Sequence, residues 1–251
     1  MIHALSPRGR EQLAAFLARR PLVTLDIDGT LAPIVARPED ARIPDALQAS
    51  LRRLAACTEV ALLTGRGRDD ALRMADFPCA YVLGNHGIEG LPGGEARTRA
   101  LAAACAEWRA SLDLRALDDA HIALEDKRYS LSLHYRHAPD HAAARRLIAA
   151  EVARLAPPPT IIDGKCVVNL LPPGAPNKGS ALRELLASRS DGCAIYAGDD
   201  DTDEHVFDLP RDLVLGVRVG RSAATQAALY LDGPDEMLPL TEFLRATIEA
   251  R

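Results

Sequence analysis

No stretch of this 251-residue chain approaches the roughly 20 consecutive apolar residues that cross a bilayer, so no membrane span is expected. Met1 to Glu11 carries charge with no apolar segment behind it, and a secretory leader is not expected either. Cysteine is scarce: Cys57, Cys79, Cys105, Cys166 and Cys193 are scattered, odd in number and form no Cys-x-x-Cys pair. That argues against a disulfide framework or a thiolate zinc site and makes a reducing cytoplasm the expected location. Positive charge is in deficit, with 30 Lys and Arg against 35 Asp and Glu, a formal net charge of −5. Such a chain is a poor electrostatic partner for nucleic acid or an anionic membrane surface. Internal repeats and low-complexity tracts are missing as well. What remains is 48% hydrophobic and 26% charged residues, ordinary globular values, in a length that holds one large or two modest domains.

Strand and helix signals alternate through the first third of the chain. Ser6-Pro7 reads as an N-cap followed by proline at the first helical position, with Leu13, Phe16 and Leu17 forming an apolar stripe. Residues 22–27 predict a buried strand that ends in Asp26-Ile-Asp28-Gly-Thr30. Pro44 opens a helix with Leu47, Leu51, Leu54 and Ala55 on one face. Val60–Leu63 is the next strand, ending at Thr64-Gly-Arg66, and Tyr81–Leu83 the one after, ending at Gly84-Asn-His-Gly87. This order predicts a parallel sheet covered by helices, with polar residues gathered where open α/β sheets place their ligands.

The pattern changes after Gly90-Leu-Pro-Gly-Gly94. An Ala-rich helix is expected over 99–112, two alternating runs within 122–136, a helix near 140–155 and a strand over 165–171. From Asn177 the first pattern returns, with a helix over 179–188, a strand over 193–197 and further α/β units. The division expected is a core of residues 1–94 and 174–251, interrupted by a smaller α/β domain of residues 95–173.

Two acidic clusters stand at strand ends. Asp26 and Asp28, two residues apart, face one cleft if the extended geometry persists. Residues 199–204 place five carboxylates in six positions. Taken singly, either cluster is equally a solvated turn with helix-capping aspartates. Charges this close raise each other's pKa, and a hard dication with oxygen ligands relieves them; Mg²⁺ prefers a few carboxylates, water and a substrate phosphate.

The segments Asp26-Ile-Asp-Gly-Thr-Leu31, Thr64-Gly-Arg66, Asn177-Lys-Gly179 and Gly198-Asp-Asp-Asp-Thr-Asp-Glu204 together resemble the four motifs of the haloacid dehalogenase-like superfamily, in its order. The resemblance implies a Rossmann-like core with a cap inserted between the second and third motifs. It implies that Asp26 is the nucleophile and Asp28 the general acid and base, with Thr64 and Lys178 on the phosphoryl oxygens. It also implies that Mg²⁺ is held by Asp26, the Asp28 carbonyl and Asp199, with Asp203 and Asp200 behind its water ligands.

Within the insertion, Glu125 and Lys127 share one strand face, as do His134 and Arg136; on pattern alone this is a solvated face with cross-strand ion pairs. The run also resembles the Glu-x-Lys-x-x-Ser-x-x-x-His-Tyr-Arg segment of trehalose-6-phosphate phosphatases, and the Gly-Asp-Asp-x-Thr-Asp-Glu ending is shared with that family. The resemblance implies a sugar phosphate as the partner molecule, with Arg66, Glu125, Lys127, His134, Arg136, Lys165 and Asn169 as substrate-binding positions. Asn169 stands where that family usually has Glu, and Leu171 where Arg is usual. Phosphates of the glucosylglycerol, mannosylglycerate or sucrose type therefore stay open as substrates, as does, from another class, a sugar-phosphate sensor on an inactive scaffold.

Overall fold

Strands buried on both faces read as continuous apolar runs rather than alternating ones, and a parallel sheet is their usual setting. Val60–Leu63 is such a run, and Leu22–Leu25 is one apart from Thr24; both are buried at every position. The computed structural model describes all residues except Ala36, Lys165 and Asp191, and all of their side chains except that of Pro38. The chain first forms β1 (Ile2–His3), α1 (Pro7–Leu17), β2 (Leu22–Leu25), α2 (Asp45–Ala55), β3 (Val60–Leu63), α3 (Arg68–Met74) and β4 (Tyr81–Leu83). The middle section forms α4 (Glu95–Ser111), α5 (Leu114–Asp119), β5 (Ala123–Asp126), β6 (Leu131–His134), α6 (His141–Val152), β7 (Thr160–Gly164) and β8 (Val167–Leu171). The remainder forms α7 (Lys178–Ala187), β9 (Ala194–Gly198), α8 (Glu204–Phe207), β10 (Val214–Val219), β11 (Leu229–Leu231) and α9 (Met237–Glu249).

Two compact units result: Met1–Pro92 together with Pro176–Arg251, and Gly93–Ala175. In the first, the described strands form a seven-stranded parallel sheet in the order β1-β11-β10-β9-β2-β3-β4. Leucines of α1, α2 and α9 cover one face and those of α7, with Val206 and Phe207 of α8, the other. The chain runs outward from β2 to β3 and β4, then returns to lay β9 on the other side of β2. The β2/β9 boundary is thus a topological switch point, where connections leave in opposite directions and open a crevice at the carboxyl ends of the strands. β2 stops at Leu25, so Asp26 already leaves the ladder there, held by its N–H to the Ala197 carbonyl at 2.9 Å.

The second unit is a four-stranded antiparallel sheet in the order β5-β6-β8-β7. Leu131, Leu133, Val168 and Leu170 pack on Trp108 of α4 and Ile148 of α6. The polar residues of alternate positions lie on the other face. Strand β7 and helix α5 were not expected from the sequence. β7 is an exposed edge strand carrying Asp163 and Gly164 behind three prolines, so neither burial nor alternation marks it. The helix expected over 99–112 starts earlier, at Glu95, and the strand expected over 165–171 spans Val167–Leu171.

Candidate active site

Strand ends bring the acidic clusters together in space. Asp26 follows β2 and Asp199 follows β9, its register neighbour, while Asp203 lies in the short turn of 3-10 helix over Asp201–Asp203. Carboxylate oxygens of Asp26, Asp199 and Asp203 all lie within 4.8 Å of one another. Gly29 makes this approach possible: it has φ 75°, and a Cβ there would meet Asp199 Oδ2 at 1.9 Å. Gly198 does the same for Asp203, whose carboxylate lies 2.4 Å from where a Cβ would sit.

Lys178, at the first position of α7, reaches into this group. Asn177 caps the helix, its side chain accepting the Ser180 N–H, so that Lys178 points down the crevice rather than into water. Its Nζ is 3.1 Å from Asp26 Oδ2 and 2.6 Å from Asp203 Oδ1. Lys178, Asp26 and Asp203 are buried, and an ammonium is tolerated there only because two carboxylates share it. Although burial works to lower it, the two carboxylates hold Lys178 above its ordinary range. Asp203 is fully engaged: Oδ1 also accepts the Tyr196 hydroxyl at 2.5 Å, and Oδ2 accepts the Asp200 N–H at 2.9 Å. Burial, with the Asp203 charge beside it, pushes the Tyr196 hydroxyl well above its usual range, so it stays a proton donor.

The donor set suits a hard cation. Burial pushes the Asp26 carboxyl up to about 7 against the pull of Lys178, with the Asp203 charge adding to the rise. Burial, then Asp203 and Asp200, push Asp199 up to about 6. One ammonium does not balance these carboxylates, and the donors left over are oxygens of Asp26 and Asp199, the ligand type Mg²⁺ takes.

Asp28 lies in the same cavity, of about 370 Å³, which is also lined by Asp26, Thr64, His86, Lys178 and Asp199. Its two oxygens accept from Arg66 Nε and Nη2, each at 2.7 Å, a bidentate fork. Arg66 Nη1 donates to Asp70 at 2.6 Å, and the hydrogen bonds to Asp28 and Asp70 hold the guanidinium above its ordinary range despite burial. Arg66, expected among the substrate-binding residues, is thus placed on the acid/base candidate. Thr64 Oγ1 accepts the Arg66 N–H at 3.2 Å. Asn85 and His86 both sit in the left-handed region, with φ 48° and 57°. Non-glycine residues there cost about 1–3 kcal/mol each. The turn is tied down where their N–H groups donate to the carbonyls of Arg66 and Thr64, which lays the His86 ring over Gly65.

On the second unit's open face, register aligns Glu125, Ser132, Asn169 and Ile162 in one cross-strand row. Ser132 Oγ donates to Asn169 Oδ1 at 2.7 Å, and Asn169 Nδ2 donates to the Ile162 carbonyl at 3.2 Å. His134 Nε2 lies 2.9 Å from Glu125 Oε2 and Lys127 Nζ 3.4 Å from it, while Arg136 is exposed beyond the end of β6. Lys165 lies outside the described residues. Sequence reasoning did not single out Tyr196, Ser132 or Arg218. Each is one polar residue in an otherwise apolar or alternating strand, and that oddity was the available signal. A second group, His3, Asp232 and Glu236, has metal-like spacing, but the Leu5 N–H donates to His3 Nδ1. The ring proton is thereby on Nε2, which donates to Glu236 at 3.0 Å instead of offering a lone pair.

The profile of the trehalose-phosphatase family matches residues 24–234. The chain belongs to the trehalose-phosphatase family. A trehalose-phosphate phosphatase of Mycobacterium avium is 32% identical over 248 residues, covering 92% of this chain and 63% of that protein. An uncharacterized glycosyl hydrolase of Mycobacterium tuberculosis is 37% identical over 232 residues, covering 82% of this chain and 17% of that protein. The chain therefore spans less than two thirds of the length of these curated relatives. A crystal structure titled as a trehalose-6-phosphate phosphatase related protein superposes with a TM-score of 0.70 at 25% identity, covering 92% of this chain and all of that one. The fold of this family member is that of the haloacid dehalogenase-like hydrolases, a parallel core with an inserted antiparallel subdomain. Among the described residues no helix is long and apolar enough to cross a membrane.

Proposed function

We propose that this member of the trehalose-phosphatase family hydrolyses trehalose 6-phosphate to trehalose and phosphate through an aspartyl-phosphate on Asp26. The observation that carries the reading is the pairing of a buried carboxylate restrained by Lys178 with a second carboxyl, Asp28, two residues on in the same cavity. Phosphoryl transfer asks mainly for positioning and charge stabilisation, and the crevice supplies both. An Asp26 oxygen attacks phosphorus, the bond to the sugar oxygen breaks, and that oxygen takes the proton of Asp28. In the second step Asp28 takes a proton from water, which attacks phosphorus and releases Asp26 and inorganic phosphate. The Arg66 fork fixes the direction of the ionised Asp28 carboxylate that takes the proton from water; in the first step, with one oxygen protonated and turned to the sugar oxygen, the other oxygen keeps its bond to Arg66. Lys178 and Thr64 face the phosphoryl oxygens.

Asp26 and Asp199 would hold Mg²⁺, with the Asp28 carbonyl as a third ligand and Asp200 and Asp203 outside them. When bound, the ion neutralises charge on the transferring phosphoryl group. The inserted unit acts as the substrate-selecting cap, Glu125 and Asn169 reading sugar hydroxyls together with Lys127, His134, Arg136 and Lys165, while the buried Ser132 holds the Asn169 amide from behind. A cytoplasmic location accords with the lack of disulfides among the described residues. The locked Asn169 amide favours a second reading, a different glycosyl phosphate, since it offers a neutral group where a carboxylate would accept two hydroxyls.

The experiment is phosphate release across a panel of sugar phosphates, with and without Mg²⁺ after chelation. A kcat/KM highest for trehalose 6-phosphate, lost in EDTA and regained with Mg²⁺, is the expected result. Another glycosyl phosphate ahead of it favours the second reading, and turnover in metal-free buffer refutes the metal assignment.

A further inference from the structure

Strand β10 is apolar, Val214-Leu-Gly-Val-Arg-Val219, apart from one arginine. Arg218 pairs in register with Gly198, the last residue of β9, and so stands beside the loop that begins at Asp199. Its side chain is only 11% exposed. Nη2 donates to the Asp199 carbonyl at 2.6 Å, and Nη1 donates to the Asp200 carbonyl at 3.2 Å and to Glu204 Oε1 at 2.6 Å. Glu204 is itself anchored, its other oxygen accepting the Gln226 N–H at 3.0 Å. The last residue of the acidic motif is therefore a strut for Arg218, not a further ligand facing the cavity. Nε is buried and finds no hydrogen-bond partner among the described residues, an arrangement that makes sense if the two Nη atoms are worth placing here.

We infer that Arg218 is a positioning residue for the metal: it grips the backbone of Asp199 and Asp200 and so fixes the direction of the Asp199 carboxylate. The inference rests on Asp199 being a metal ligand, as proposed above. Arginine suits the task because a planar guanidinium can hold two successive carbonyls and a carboxylate at once, whereas an ammonium holds a point. Groups that orient a metal ligand from behind commonly change affinity by about 10–100-fold when removed. The positive charge of Arg218 by itself repels a cation, so orientation and charge predict opposite signs for its removal.

The test is Mn²⁺ titration followed by electron paramagnetic resonance, with Mg²⁺ calorimetry beside it, on the wild type and on R218M, R218K, E204Q and D199N. The expected result is a Mn²⁺ affinity about tenfold weaker or more in R218M. R218K is expected to recover part of the loss, and E204Q to shift the same way by less. At saturating metal, the KM of R218M for p-nitrophenyl phosphate stays near that of the wild type. R218M binding Mn²⁺ as tightly as the wild type, or more tightly, overturns the inference. Should R218M fail to fold, wild-type affinity in both R218K and E204Q overturns it equally. D199N with undiminished affinity overturns the metal reading itself, whereas weak D199N beside intact R218M removes only the role of Arg218.

Discussion

The crevice of the parallel sheet and the open face of the antiparallel sheet hold polar residues in opposite ways. In the crevice three of the charged groups are held several times over: Lys178 is shared by two carboxylates, Asp203 has three donors, and Asp28 is held by a fork. Lys178 and Asp203, with Asp26 beside them, are buried, where charges are strong and hard to move. On the open face Glu125, Lys127 and His134 are linked by single contacts between half-exposed side chains, interactions worth about 0–1 kcal/mol each. A rigid, dry site suits chemistry common to all substrates. A wet and loosely tied face suits recognition, since hydroxyls of a sugar can replace such contacts at little cost.

The contrast can be broken experimentally, most severely at Asp26, the proposed nucleophile. Asp26→Asn should reduce phosphate release on the order of 10⁶-fold, for p-nitrophenyl phosphate and sugar phosphates alike, with circular dichroism unchanged. Residual turnover within tenfold of wild type would remove Asp26 from the mechanism. Lys178→Met should abolish activity on both substrate types and also lower stability by about 3–5 kcal/mol, because two buried carboxylates lose their counter-ion. A melting temperature equal to wild type would show that the ammonium is not the group balancing them. Glu125→Ala should lower kcat/KM for the preferred sugar phosphate by about 10–100-fold, the loss of one or two charge-assisted hydrogen bonds, while p-nitrophenyl phosphate is hydrolysed as before. Equal losses on both would erase the distinction between the two regions.

The smallest effect lies away from both. Glu242 of α9 accepts from Ser50, Arg53 and Arg245, and hydrogen bonds from Ser50 and Arg53 pull its carboxyl down to about 2. A carboxyl lowered on folding stabilises the protein fully above its ordinary pKa of 4.5, and that contribution fades as pH falls toward 2. Glu242→Gln should therefore cost about 1–2 kcal/mol at pH 7 by urea unfolding, and the gap from wild type should close in acid. A gap independent of pH would mean that packing, not charge, is what Glu242 provides.

The acidic strand ends were legible in the sequence because their charge is concentrated at a few positions next to apolar runs. The core strands were legible for the same reason: Val60–Leu63 and Tyr81–Leu83 are apolar runs closed by glycine-bearing turns. β7 was not, because an edge strand with both faces wet has no pattern to display. Arg218 escaped for a different reason. Its partners follow β9, which lies beside its own strand β10, an order that chain spacing does not contain. The Ser132–Asn169 bond likewise joins residues 37 apart and exists only through the register of β6 on β8.

The place of β2 in its sheet bears on how the protein is made. One neighbour, β3, is synthesised soon after it, but the other, β9, emerges roughly 130 residues after β3, beyond the whole inserted unit. At ordinary elongation rates that interval is on the order of 10 s, during which a strand buried at every position in the finished fold has an unpaired edge. Nascent chains stalled before Ala194 should accordingly be sticky and dependent on chaperones, whereas release past Gly198 lets β9 close over the gap. The same pairing that joins the two acidic loops thus makes the crevice between them a late event in the life of the polypeptide.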